Sequence, residues 1–154
     1  MNPDSPDPPP RLEWTTPLPA LVAVAVGGVV LAGATFFAAD APSRLLVGLA
    51  AAGLLGLAAL GYRQRPRLTV VPGAQPRLVV RTLTGPTDYR PDQIIRARIV
   101  SYRRLGRKVP MLEIDVRHGD DERLLIFGRW DLGASPEDVF EALVVHRIAF
   151  LRSE

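Results

Sequence analysis

Two long apolar runs near the start of the chain constrain its fold more than any other feature. The first covers residues 18–39 and the second covers residues 45–62, and neither contains a charged side chain. A helix rises about 1.5 Å per residue, and the hydrocarbon core of a bilayer is about 30 Å thick. Each run is therefore long enough to cross a membrane, and the short segment between them predicts a helical hairpin.

Charged residues beside the two runs predict their orientation. Arg63 and Arg65 follow the second run directly, whereas Arg44 is the only basic residue between the runs. Short flanks rich in arginine and lysine stay cytoplasmic. We therefore expect a multi-pass protein of the plasma (inner) membrane with both termini in the cytoplasm. Trp14 and Tyr62, together with Arg63 and Arg65, are the expected anchors at the membrane interface.

The first run has an alternative interpretation as a cleaved signal peptide, because Ala39-Asp40-Ala41 resembles a cleavage site. The run is long for the apolar core of a signal peptide, and three acids and one arginine precede it. Even after cleavage, the second run would hold the chain in the membrane. Residues 1–17, which begin with a segment rich in proline and aspartate, are expected to form a disordered tail.

Small residues recur on one face of each run and predict close helix packing. They are Ala25, Gly28 and Ala32 in the first run, and Gly48, Ala52 and Gly56 in the second. These faces fit either packing of the two helices on each other or association of two copies of the chain. A homo-oligomer is therefore among the partners that the sequence allows.

Beyond a basic linker, residues 63–66, the pattern changes to alternation over residues 67–152. The clearest case is Leu112, Ile114 and Val116, which alternate with Glu113 and Asp115. Further on, Leu124 and Ile126 alternate with Arg123, Leu125 and Phe127. A period of two predicts half-buried antiparallel strands, and Gly- and Pro-containing turns fall between the alternating stretches.

The period then switches to that of a helix. Ser135-Pro136-Glu137-Asp138 is a helix start, because serine caps, proline fits the first turn and acids complement the helix dipole. An apolar stripe follows at helical spacing: Val139, Phe140, Leu143, Val144, Ile148 and Leu151. The predicted fold class is a membrane α-helical hairpin plus an α+β domain, in which one helix closes an antiparallel sheet.

Composition argues against several functional classes. The net charge is only +3, so a nucleic-acid partner is not expected. The chain has no cysteine, and its two histidines, His118 and His146, stand far apart in the sequence. No metal site, cofactor or catalytic residue is therefore expected, and the chain is not expected to be an enzyme.

The densest positive cluster is the candidate binding site. Arg103, Arg104, Arg107 and Lys108 surround Gly106 in a predicted hairpin tip. Guanidinium and ammonium groups pair well with phosphate, and anionic lipid attracts basic segments. Three interpretations stay open: a solvated tip, a contact with the bilayer surface, and a contact with an acidic face of a partner protein.

Two motifs carry a resemblance to a known family. They are Arg104-Leu105-Gly106-Arg107 with Val109-Pro110, and Gly128-Arg129-Trp130-Asp131-Leu132-Gly133. With the surrounding strands, they resemble the bacterial pleckstrin-homology (PH)-like domain of small actinomycete membrane proteins, including low-molecular-weight protein antigens with two N-terminal spans. The resemblance covers nearly the whole chain. It implies a PH-like bent sheet or barrel of about seven strands with a C-terminal helix, and it implies no reaction.

Tyr89 departs from the family pattern, which often shows tryptophan there, and this suggests a swapped core aromatic. The function expected from the residues and the resemblance together is non-enzymatic. The protein would present a cytoplasmic PH-like interaction module that scaffolds or recruits a protein partner at the membrane. The alternative is binding of anionic lipid headgroups through the hairpin Arg103–Lys108.

Overall fold

The computed structural model describes residues 10–150, which divide into two compact units. One unit is the helical hairpin, Thr16–Arg65, and the other combines the residues up to Thr15 with those from Pro66 onward. We call the second unit the folded domain. Most of the predicted tail, residues 1–9, and the predicted end of the domain at residue 152 lie outside the described residues.

The hairpin consists of helices α1 (Leu18–Thr35) and α2 (Ala41–Arg63). Both are long and apolar enough to cross a membrane. Helix α1 ends before its apolar run does, and α2 begins earlier than its run. The start of α2 is set by Asp40, whose carboxylate caps the helix by accepting a hydrogen bond from the Ser43 backbone N–H at 2.9 Å.

Glycines allow α1 and α2 to approach each other closely. A Cβ atom added at Gly28 would lie 2.8 Å from the Cγ atom of Leu55, and one at Gly61 would lie 2.5 Å from a methyl carbon of Leu21. The second stripe packs more loosely, because an added Cβ at Gly48 would lie 3.8 Å from the Cγ2 atom of Thr35 and one at Gly56 would meet nothing within 4 Å. The first predicted small-residue face thus lies in the helix contact at Gly28, whereas association of two copies stays a prediction.

Gly28→Leu is expected to destabilise the hairpin by about 1–3 kcal/mol, because the new side chain must push against Leu55. The matched control is Gly53→Leu, since an added Cβ at Gly53 meets nothing within 4 Å. Thermal denaturation of the detergent-solubilised chain measures the difference. Equal melting temperatures for the two variants would contradict the observed helix contact.

The first sheet of the folded domain has four antiparallel strands. They are β1 (Leu12–Trp14), β2 (Leu68–Val71), β3 (Arg77–Thr82) and β4 (Gly85–Tyr89), in that spatial order. Strand β1 precedes α1 in the chain, and β2 follows α2. The hairpin is therefore an insertion between the first two strands of a sheet, and the register pairs Leu12 with Val70 and Trp14 with Leu68.

Strand β1 corrects the sequence prediction of a disordered tail, residues 1–17, at Leu12–Trp14. Leu12 and Trp14 pack against the hydrophobic core of the domain. The Arg67 backbone N–H donates to the Trp14 carbonyl at 2.9 Å, which extends the pairing. This burial compensates for the ordering of the segment. The role of Trp14 as a membrane-interface anchor stays a prediction, and its side chain packs on the domain core.

The second sheet has three antiparallel strands: β5 (Ile94–Arg104), β6 (Arg107–His118) and β7 (Asp121–Phe127). The short helix α3 (Arg129–Leu132) and helix α4 (Pro136–Val145) follow. One hydrophobic core draws on both sheets and both helices; among its members are Val70, Leu78, Leu112, Ile114, Leu132, Val139 and Leu143. Seven strands and a closing helix over the described residues confirm the predicted fold class.

Tyr89 and the end of α4 test two finer expectations. Tyr89 is buried in the core, which confirms it as a core aromatic. Helix α4 ends at Val145, so the prediction of a helix continuing through Ile148 is wrong. Arg147 adopts a left-handed conformation with φ of 57°. The chain thereby folds back, and the Ile148 backbone N–H donates a hydrogen bond to the Leu143 carbonyl at 2.9 Å. Ile148 reaches the core from beyond the helix.

Candidate interaction site

Strands β5 and β6 form a long hairpin whose far end is the candidate site. They pair from Ile94 to the turn, where Arg104 stands opposite Arg107. The two turn residues, Leu105 and Gly106, both have positive φ angles, 49° and 77°. Positive φ at both central residues is the geometry of the tight hairpin turn that matches the twist of the flanking strands.

The end of this hairpin projects beyond the domain core. The last pair with a fully buried member is Ile99 opposite Leu112. From Ser101 to Lys108 every residue is exposed. At about 3.3 Å per strand residue, the tip lies about 16 Å beyond that pair. We call the segment from Ser101 to Lys108 the basic arm.

The structure brings together the four cations that the sequence singled out. The register places Arg103 opposite Lys108 and Arg104 opposite Arg107. Like charges directly opposite each other destabilise a strand pair. Among the ion pairs of residues 10–150, none involves these four side chains, whereas Arg96 and Arg98 at the other end of the hairpin are paired with carboxylates. The basic arm therefore carries uncompensated positive charge.

Leu105 stands at the apex of the basic arm. Its side chain is fully exposed, although leucine is a large apolar residue. The sequence showed Leu105 only as part of a motif, because a single leucine between cations does not reveal whether it is buried. Its exposure follows from the tight turn, which points it away from both strands.

A buried carboxylate lies on the outer face of the second sheet. Glu113 is only 3% exposed, although its neighbours in the strand, Leu112 and Ile114, face the core on the other side. Arg98 donates to Glu113 Oε2 at 2.8 Å from Nε, and its Nη2 lies 2.7 Å away. The Tyr102 hydroxyl donates to Glu113 Oε1. Glu113 and Asp115 thus both pair across the strands with arginines.

This network shifts the acid–base properties of its members. The Tyr102 hydroxyl, followed by the Arg98 guanidinium, lowers the pKa of Glu113 against the opposing effect of burial. The same hydrogen bond to Glu113 raises the pKa of Tyr102. The network thus stabilises the hairpin between the domain core and its tip.

Acid is expected to destabilise the domain partly through Glu113. Because its folded pKa lies below the unfolded value of about 4.3, its contribution is present above that pH and is lost as pH falls through the lowered pKa. Glu113→Gln should cost about 1–3 kcal/mol at pH 7 and flatten the stability profile below about pH 5. Asp115→Asn is the control, because the Asp115 side chain is 27% exposed whereas that of Glu113 is 3% exposed. Unchanged pH profiles in denaturant titrations would refute this role.

The outer face also exposes apolar side chains. Leu124 and Ile126 of β7 stand opposite Asp115 and Glu113, and both are about half exposed. Leu125 and Phe127 take the core-facing positions instead. The alternation in the sequence showed two faces of β7 but did not distinguish the inner one, because both faces carry apolar residues.

The remaining sequence candidates occupy separate places. Trp130 lies in α3 and is 52% exposed. Its neighbour Asp131 caps α3 by accepting a hydrogen bond from the Gly128 N–H at 3.1 Å and pairs with Arg67 at 3.6 Å. The exposed side chains Tyr62 and Arg63 end α2, and Arg65 follows. Within residues 10–150, no three His, Cys, Asp or Glu side chains group closely enough to hold a metal ion.

Two antiparallel sheets around one core, closed by a C-terminal helix, define the folded domain as PH-like. Comparison with known proteins agrees: the model of the bacterial PH domain family matches residues 65–149. The chain belongs to this family. It is also 38% identical over 131 residues to uncharacterized proteins of Mycobacterium tuberculosis strains CDC 1551 / Oshkosh and H37Rv, covering 84% of this chain and 89% of each relative. No solved structure matches it.

Proposed function

We propose that this protein is a non-enzymatic membrane protein that presents its PH-like domain as a module for recruiting a protein partner. The family membership and the two helices long enough to span a membrane support the general class. The observation that carries the recruiting role is the outer face of the second sheet. There, half-exposed Leu124 and Ile126 adjoin the buried network around Glu113.

Such a surface suits a protein contact for a physical reason. Removing exposed apolar side chains from water lowers the free energy of the complex. The neighbouring charges are already paired, so they need no counter-charge from the partner. Trp130, which is half exposed, is a candidate for an additional anchor. This surface is distinct from the basic arm.

The proposed location is the plasma (inner) membrane, with both termini in the cytoplasm. The pairing of β1 with β2 supports placing both ends of the hairpin on one side, because these strands belong to one sheet. Arg63 and Arg65 after the second span support the cytoplasmic side.

Affinity purification from solubilised native membranes tests the recruiting role. A partner that binds the outer face should co-purify with the natural chain and be lost from the double variant Leu124→Glu/Ile126→Glu. Leu83→Glu is the control, because Leu83 is also an exposed apolar residue and lies away from this face, in the turn between β3 and β4. A partner retained equally by both variants would exclude this face, and the absence of any reproducible partner would contradict recruitment.

A second candidate function is recognition of anionic lipid headgroups by Arg103, Arg104, Arg107 and Lys108. The uncompensated charge of these four side chains favours it, since phosphate groups would supply the missing counter-charges.

A further inference from the structure

We propose that the tip of the basic arm inserts into the surface of an anionic bilayer. Leu105 would enter the boundary between headgroups and acyl chains, while the four cations bind lipid phosphates around it. The proposal rests on the membrane anchoring proposed above and is independent of the protein partner. It extends the second candidate function, binding of anionic lipid headgroups, by naming Leu105 as the inserting residue and by placing the four cations around it.

The charge arrangement of the basic arm supports an anionic surface as the partner. Two cross-strand pairs of cations face each other, at a cost to the stability of the hairpin. The other end of the same hairpin uses the opposite arrangement, since Arg96 and Arg98 pair with Asp115 and Glu113. Four cations within six residues match the spacing of a charged surface better than that of a single anion.

Leu105 distinguishes a bilayer from other anionic partners. A nucleic acid or an acidic protein surface would bind the cations but offers no general apolar layer beneath its charges. A bilayer offers both, because acyl chains lie directly below the phosphates. Arginine and lysine side chains can reach outward to phosphates while an apolar neighbour goes deeper. The basic arm has the matching arrangement, because its apex is a fully exposed leucine and its cations lie around that leucine.

The projection of the basic arm makes the contact accessible. Every residue from Ser101 to Lys108 is exposed, so the tip can meet a flat surface without moving the core. No acidic residue lies in that segment to oppose an anionic surface. Since the domain follows the second span within a few residues, the anchored chain holds the arm at a high effective concentration near lipid.

The test uses the full chain in lipid nanodiscs, with a fluorophore that reports on its surroundings. The chain has no cysteine, so Leu105→Cys allows a single nitrobenzoxadiazole label at the apex. In phosphatidylcholine discs containing phosphatidylglycerol, we expect a blue-shifted emission that spin-labelled lipids quench. In pure phosphatidylcholine discs or at high salt, the quenching should fall, because screening weakens attraction to anionic lipid.

Two controls decide the outcome. Changing all four cations to glutamine should lower the lipid-contacting fraction at least about tenfold, since each basic residue near anionic lipid is worth about fivefold. A label at Leu83→Cys should not respond to phosphatidylglycerol. A Leu105→Cys label that stays solvent-exposed while the chain is inserted in the disc would overturn the proposal. So would a label shielded only by added RNA or an acidic protein. Failure of the chain to insert would instead refute the membrane anchoring on which the proposal depends.

Discussion

Removing strand β1 from the folded domain is expected to lower its melting temperature by about 12–24 °C. The comparison uses two soluble proteins: residues 66–154 alone, and residues 10–15 joined to residues 66–154 by a short Gly-Asn-Gly link. The link is feasible because Trp14 and Leu68 are paired antiparallel, so the two ends to be joined already lie opposite each other as in a β-hairpin. The expected loss is about 3 kcal/mol, from the ladder hydrogen bonds and the packing of Leu12 and Trp14.

Two substitutions in the linked protein separate the sources of this stability. Trp14→Ala should reproduce much of the loss, because the indole packs against the core. Glu13→Ala should change little, since Glu13 is exposed on the opposite face of the strand. Differential scanning fluorimetry gives the melting temperatures. If residues 66–154 melt at the same temperature with and without β1, the strand contributes nothing to the fold.

The same strand shows where prediction from sequence reaches its limit. The hairpin and the strands of the domain were predictable, because apolar runs and period-two alternation are local signals. Strand β1 has only three residues, too few to show alternation, and its partner β2 lies beyond the whole hairpin. Long-range pairing of a short strand leaves no local pattern, so Leu12–Trp14 resembled the end of a tail.

The candidate site was predicted only in part, for a related reason. The cluster of Arg103, Arg104, Arg107 and Lys108 is local in sequence, and a hairpin around Gly106 was foreseeable. The sequence does not show which apolar side chains near the site are exposed. Whether Leu105, Leu124 and Ile126 are buried depends on how far β5 and β6 extend past the core and which face of β7 turns inward. Those are properties of the packed domain.

The insertion of the hairpin between β1 and β2 has a consequence for how the protein assembles. In the proposed topology, two crossings return the chain to the side on which it began, so both parts of the sheet can meet. One crossing would leave β1 on one side of the membrane and strands β2–β7 on the other. Deleting α2, residues 41–63, should therefore prevent β1 from joining its sheet in a bilayer.

Impermeant maleimide labelling of Glu13→Cys and Arg123→Cys tests this directly. Both side chains are exposed in the described domain, and the natural chain has no competing cysteine. In the chain with two spans, both positions should label from the same side. In the single-span variant they should label from opposite sides, and the domain should melt about 12–24 °C lower, the same shift that is expected on removing β1.

The decisive control replaces α2 with an unrelated apolar helix of equal length. If the number of crossings governs assembly, any second span restores same-side labelling and the higher melting temperature, although the contacts of Gly28 and Gly61 are lost. If α2 itself were required, the replacement would behave like the deletion. Same-side labelling in the single-span variant would show that the first helix does not cross the membrane. In the proposed topology, membrane crossing would therefore be a condition of folding, because β1 could pair with β2 only after an even number of crossings.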